Sequence, residues 1–96
     1  MTEDSFPLEK ILNVSATEYC ASVGRELRDY ELKGVHYECG KTDFFAENFA
    51  KVVPEEAEVV VNYRVTMAVS QYEGDDGENY GYTAFQGTGT ALIFKR

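Results

Sequence analysis

From Val59 onward, apolar and polar residues alternate along VVVNYRVTMAVSQY. Val59, Val61, Tyr63, Val65, Met67 and Val69 fall on one face, with Asn62, Arg64, Thr66 and Ser70 on the other. A period of two sustained over this length predicts a half-buried strand. The segment YGYTAFQGTGTALIFK, rich in Tyr, Thr, Phe and Ile, predicts its return partner. Between them Asp75-Asp76-Gly77 supplies, in order, the residue types of a three-residue hairpin loop: a type I turn followed by a left-handed residue. That turn sets Gly74 opposite Glu78, and the register then pairs Met67 with Phe85, Val65 with Gly87, Tyr63 with Gly89, Val61 with Ala91 and Val59 with Ile93. Apolar residues on the first strand meet apolar or small residues on the second, and a slip of one residue would destroy the match.

The acidic turn, YEGDDGENY, has carboxylates but no cation-binding pattern. A calcium loop needs oxygen ligands at alternate positions, a Gly at the sixth and a bidentate Glu at the twelfth, and this segment lacks that spacing. It reads as a solvated bend. Gly87 and Gly89 interrupt the return strand on its core face, where a bare backbone leaves room for a ring or a helix to approach closely. GTGTA is no phosphate loop, because it lies within a strand and leads into no helix.

The N-terminal half is less regular. Ser15-Ala16-Thr17-Glu18 matches a capping box, and Tyr19, Cys20, Val23, Leu27 and Tyr30 follow at helical spacing, which predicts a helix from about Ala16 to Tyr30 with Gly24 inside it. Leu8, Ile11, Leu12 and Val14 fit a short strand or an extension of that helix. Leu32 to Cys39 predicts a strand. Thr42 then caps a second helix whose stripe is Phe45, Phe49, Val52 and Val53, ended by Pro54, while Phe44 lies off the stripe and suits an interface. The implied fold is α+β: two helices packed on one face of a mainly antiparallel sheet dominated by the long C-terminal hairpin.

Ninety-six residues make a single domain, residues 1–96, and the 44% apolar fraction is that of a folded chain. Charge changes the picture more. Nine basic residues stand against 17 acidic ones, a net charge of -8, which argues against nucleic acid as a partner. It allows, as a second reading, an acidic surface that meets a basic protein. No apolar run approaches the length of a membrane helix, and MTEDSFPLEK has neither a basic nor an apolar signal region, so a cytoplasmic chain with reduced Cys20 and Cys39 is expected.

The other face of the hairpin carries Val60, Leu92, Tyr72, Tyr80 and Tyr82 at its ends and Arg64, Thr66, Gln86 and Thr88 at its centre. That is too apolar for a purely solvated face, and two strands of this length reach about 50 Å, more than a small domain needs. The expectation is a homo-oligomer whose interface uses Val60, Arg64, Thr66, Tyr72, Tyr80, Tyr82, Gln86 and Leu92. Among groups that carry chemistry, His36-Tyr37-Glu38-Cys39 is the one cluster of metal-ligand types, with His36 and Cys39 as candidate soft-metal ligands. Along a regular strand those two point to opposite faces. No nucleophile is paired with an identifiable orienting group, so no enzyme is expected, and any cofactor is left unknown.

EEAEVVVNYRV followed by FQGTGTALIFKR resembles the C-terminal hairpin of the YbjQ-type family of small proteins. The matching residues are Ala57, Glu58, Val59 and Val60, then Gly89, Thr90, Ala91 and Leu92. The resemblance covers roughly the last 40 residues. It implies a ring-like homo-oligomer of the heavy-metal-binding kind, and it carries no ligand residue over to this chain. The reading that results is a non-enzymatic homo-oligomeric binding protein of unknown ligand.

Overall fold

The computed structural model describes residues 6–96, with five regular elements: α1 (Ala16–Val23), β1 (Tyr30–Cys39), α2 (Phe45–Ala50), β2 (Val59–Glu73) and β3 (Asn79–Phe94). The strands form one antiparallel sheet in the order β1-β3-β2, so the last strand lies at the centre. The expected α+β class, antiparallel sheet and dominant hairpin are all present.

The turn chemistry sets the hairpin as expected. Gly77 takes φ 82°, the Gly74 N–H donates to the Glu78 carbonyl at 2.8 Å, and Met67 pairs with Phe85 and Val65 with Gly87. The register then changes at the base. Asn62 and Tyr63 together oppose Gly89, so Val61 pairs with Thr90, Val60 with Ala91 and Val59 with Leu92, each one position from the extrapolated pairing. This bulge places Asn62 at φ 56°, a left-handed conformation that Asn tolerates better than most side chains.

The bulge has a large effect on packing. A shift of one residue reverses which side chains face which way, so Val60 joins the face of Tyr63 and Val65 while Val59 and Val61 turn to the other. Val60 packs with Val35, Ala91, Phe49, Ala50 and Val53 under α2, whereas Val59 and Val61 pack with Tyr30, Leu92 and Cys20 under α1. The helices therefore cover opposite faces instead of sharing one. Each covers only the base of the sheet, because each is short.

Local sequence explains both lengths. The Ser15 hydroxyl accepts from the Glu18 N–H at 3.1 Å while the Ser15 N–H donates to the Glu18 carboxylate at 3.0 Å, completing the capping box that starts α1. The helix stops at Gly24, which takes φ 71° as its left-handed cap, so the apolar spacing that runs on to Tyr30 is not helical. Leu27–Asp29 is a 3₁₀ turn and Tyr30 opens β1. Residues 11–14 lie beside the edge of β2 without forming a strand, held by Leu12 N–H to Val60 O, Asn62 N–H to Val14 O and Tyr63 N–H to Leu12 O. At α2 the expected Thr42 side-chain cap is absent; the cap position belongs to Phe44 at φ 57°, and Thr42 contributes its carbonyl to the Phe45 N–H.

The two strand glycines are where the second helix docks. A methyl group on Gly87 would stand 2.7 Å from Phe45 Cε1 and 3.0 Å from Phe49 Cδ2. One on Gly89 would stand 2.7 Å from Val60 Cγ1. The rings of α2 occupy the space these residues leave, and they also pack edge-on against Tyr37 and Tyr63 at centroid separations of 5.1 and 4.8 Å.

Candidate functional site

β1 ends opposite Phe85, but the hairpin continues through six more cross-strand pairs, from Ala68 with Ala84 to Glu73 with Asn79. At about 3.3 Å per residue this is a two-stranded ribbon extending some 20 Å past its neighbours. It accounts for about a third of the 58 Å long dimension of a chain only 19 Å thick. Here α1 and α2 no longer cover either face. On the α2 side an apolar row runs along β2 onto the ribbon: Val65 and Met67, still level with β1, and Val69 beyond it are 44%, 63% and 64% exposed, with half-buried Phe85 beside Met67.

These are the residues whose alternation predicted a core face. They are exposed because α2 has only six residues and its rings end over Gly87. The shoulder of the ribbon carries one more exposed apolar group. Gly40 lies beside the Thr83 carbonyl and Phe45 lies over Gly87, so the segment between them borders the same end of the sheet, and Phe44 within it is 73% exposed.

The residues expected at an interface divide. Val60 and Leu92 are fully buried within the chain and are corrected from interface to core: the bulge moves Val60 under α2, and Leu92 keeps its face but is covered there by α1. Arg64 and Thr66 are exposed and Gln86 half-buried, on the face opposite the bare valines. Tyr80 is exposed, and its hydroxyl donates to Asp76 at 2.5 Å. That bond is the main reason the Asp76 carboxyl sits below its usual range and the Tyr80 phenol above its own. The side chains of Tyr72 and Tyr82 lie outside the described residues. The acidic turn thus uses Asp76 internally, to hold Tyr80 and the Glu78 N–H.

The candidate metal pair is not brought together. β1 keeps an unbroken register from Tyr30 to Cys39, so His36 and Cys39 stand on opposite faces. The Cys39 thiol donates to the Lys41 carbonyl at 2.8 Å. Among the described residues no three His, Cys, Asp or Glu side chains are placed to hold a metal ion.

A polar cluster that the sequence did not advertise lies at the other end of the sheet. One oxygen of Glu58 accepts from Tyr19 Oη at 2.6 Å and Tyr30 Oη at 2.8 Å, and the other accepts from Arg25 Nη1 at 2.7 Å. The guanidinium also lies 4.2 Å from the centre of the Phe94 ring. Burial alone would raise the Glu58 pKa, but the two phenol hydrogen bonds and the nearby Arg25 charge outweigh it, leaving the carboxyl below its ordinary value. Burial, followed by the bond to Glu58, pushes the Tyr19 hydroxyl well above the usual phenol range. With three donors on one carboxylate, the cluster is a clasp joining α1, the turn after it, β1 and the entrance to β2.

The chain matches no family model, curated protein or solved structure. Among the described residues no helix is long and apolar enough to cross a membrane.

Proposed function

We propose that this protein is a non-enzymatic binding protein that works as a homo-oligomer, assembled through its projecting hairpin. The supporting observation is the apolar row Val65, Met67 and Val69, exposed along the outer strand β2 from beside the α2 rings over Gly87 onto the two-stranded ribbon. A two-stranded ribbon is marginal in water, and covering the exposed apolar row that leads onto it would order its base. The YbjQ-type resemblance, which lies in the same hairpin, points the same way.

Light scattering on the intact chain tests the reading. A mass above that of one chain is expected, falling to one chain in the Met67→Lys/Val69→Lys double variant with its circular dichroism unchanged. A monomeric wild type at high micromolar concentration contradicts it. A second reading, capture of a basic protein, is favoured by the ribbon tip, which carries Glu73, Asp75, Asp76 and Glu78 without a compensating cation between Val65 and Phe94. A charge-driven complex of that kind weakens steeply as salt rises, and an apolar one does not.

A further inference from the structure

We propose that the free outer edge of β1 takes an extended segment of a partner protein, bearing an aromatic side chain and a Lys or Arg, as a fourth strand of the sheet. This rests on the reading of the chain as a binding protein, and it names a site for the ligand and the ligand's chemical class.

Backbone hydrogen bonding locates the site. The Lys95 N–H donates to the Asp29 carbonyl at 2.9 Å, and the next N–H along, that of Tyr30, points the other way to the Leu27 carbonyl. Alternation along the unbroken β1–β3 register then turns the N–H and C=O of Glu31, Lys33, Val35 and Tyr37 toward β3. Those of Leu32, Gly34, His36 and Glu38 turn outward, and among the described residues no backbone group pairs with them. A row of unpaired groups at this spacing is a template for one more strand. β1 is ten residues long, with no proline and no bulge to interrupt the pairing. The ribbon has edges of its own, but neither core reaches them. Tyr30 and Val35, 1% and 5% exposed, fix β1 in both cores, so its edge is ordered before a ligand arrives.

The side chains along that edge specify what the segment carries. Leu32, Gly34, His36 and Glu38 share one face of the sheet. Leu32 is 49% exposed, and a methyl group on Gly34 would meet nothing within 4 Å. An aromatic ring on the neighbouring strand covers such a bare stretch of backbone and the leucine beside it. Glu38, exposed further along the same row, is complemented by a Lys or Arg opposite it. Glu31 and Glu38 outnumber Lys33 along β1, and the net charge of -8 favours a basic segment over a second copy of this chain.

The probe is a capped synthetic peptide of alternating threonine and valine, with a phenylalanine and a lysine placed to meet Gly34 and Glu38. Its addition to the intact chain is expected to give saturable amide shifts at Leu32, Gly34, His36 and Glu38. Hydrogen exchange should slow at those amides, while Val35 and Tyr37 keep the protection their bonds to β3 already give. Methylating the peptide amides that face β1 is expected to weaken binding about tenfold or more, because the main-chain bonds are lost. Glutamate in place of the lysine should also weaken it, by a factor that shrinks as salt rises. His36→Pro removes an outward N–H that no described backbone group uses, so it should weaken binding about tenfold with the circular dichroism unchanged. Shifts confined to residues 66–84, equal binding of the methylated peptide, or no saturation at millimolar peptide would overturn the inference. So would a fall in the mass of the wild-type assembly on His36→Pro, which would give the edge to a second copy. Light scattering on the same samples separates this site from assembly through the hairpin: an oligomer that takes no peptide overturns only the edge site, and a monomer that takes it overturns only the hairpin assembly.

Discussion

Gly87→Ala tests the docking of α2 on the sheet. The added methyl would stand 2.7 Å from Phe45 Cε1 and 3.0 Å from Phe49 Cδ2, where ordinary carbon contacts lie near 3.5–4.0 Å. Both rings are buried, and both also pack against tyrosines, so neither can retreat by the required ~1 Å without opening a contact elsewhere. Overpacking of this kind costs about 1–3 kcal/mol. Urea unfolding followed by tyrosine fluorescence measures it: with a slope near ~1.5 kcal/mol per molar, the midpoint should fall by about 1–2 M. Gly34→Ala is the control. It lies in β1, and a methyl there meets nothing within 4 Å, so it should be neutral or stabilising by up to about 1 kcal/mol through loss of unfolded-state freedom. Equal midpoints for the two variants would refute the claim that the α2 rings need the bare strand.

Three further outcomes follow from the same geometry. Gly24→Ala should lower stability by about 1 kcal/mol in thermal unfolding, because φ 71° at the end of α1 disfavours a side chain, whereas Asn62→Gly should be tolerated at the bulge. For Glu58 the sign follows from its depressed pKa. Its contribution is fully present above the unfolded carboxylate value of about 4.3 and is lost as pH falls through the lower folded value. The stability difference between wild type and Glu58→Gln should therefore be constant near neutrality and narrow below about pH 4 in denaturant titrations across pH. Gly77→Ala should destabilise the turn and shift the amide resonances of residues 73–79, since φ 82° is required there to close the loop.

Much of this architecture can be read from short-range chemistry. Ser15 and Glu18 start α1 through a capping box that is local in sequence, and Asp75-Asp76-Gly77 sets the pairing of Met67 with Phe85 without reference to the rest of the chain. What the local pattern misses has physical causes at longer range. Alternation puts Val59 and Val61 on the face of Tyr63 and Val65 and Val60 on the other, yet residues 11–14 hydrogen-bond the Asn62 and Tyr63 backbone at a bulge that exchanges the two faces. Three apolar residues in succession, followed by an Asn able to go left-handed, were the available signal. Helical spacing overstates the length of α1, because Val23, Leu27 and Tyr30 keep it after Gly24 has ended the helix. The candidate surface suffered most: alternation marks Val65, Met67 and Val69 as inward, but alternation cannot say whether a helix reaches far enough to cover them. The Glu58 clasp was invisible for a related reason, since it joins residues 19, 25, 30 and 58, which only the fold brings together.

Amide hydrogen exchange of residues 66–84, measured at protein concentrations on either side of dissociation, tests most directly whether a second copy covers the ribbon. The account predicts that protection in this segment rises with concentration while the base of the sheet, around Val59–Val61 and Ala91–Leu92, stays equally protected throughout. Protection of the ribbon that does not change with concentration would contradict it.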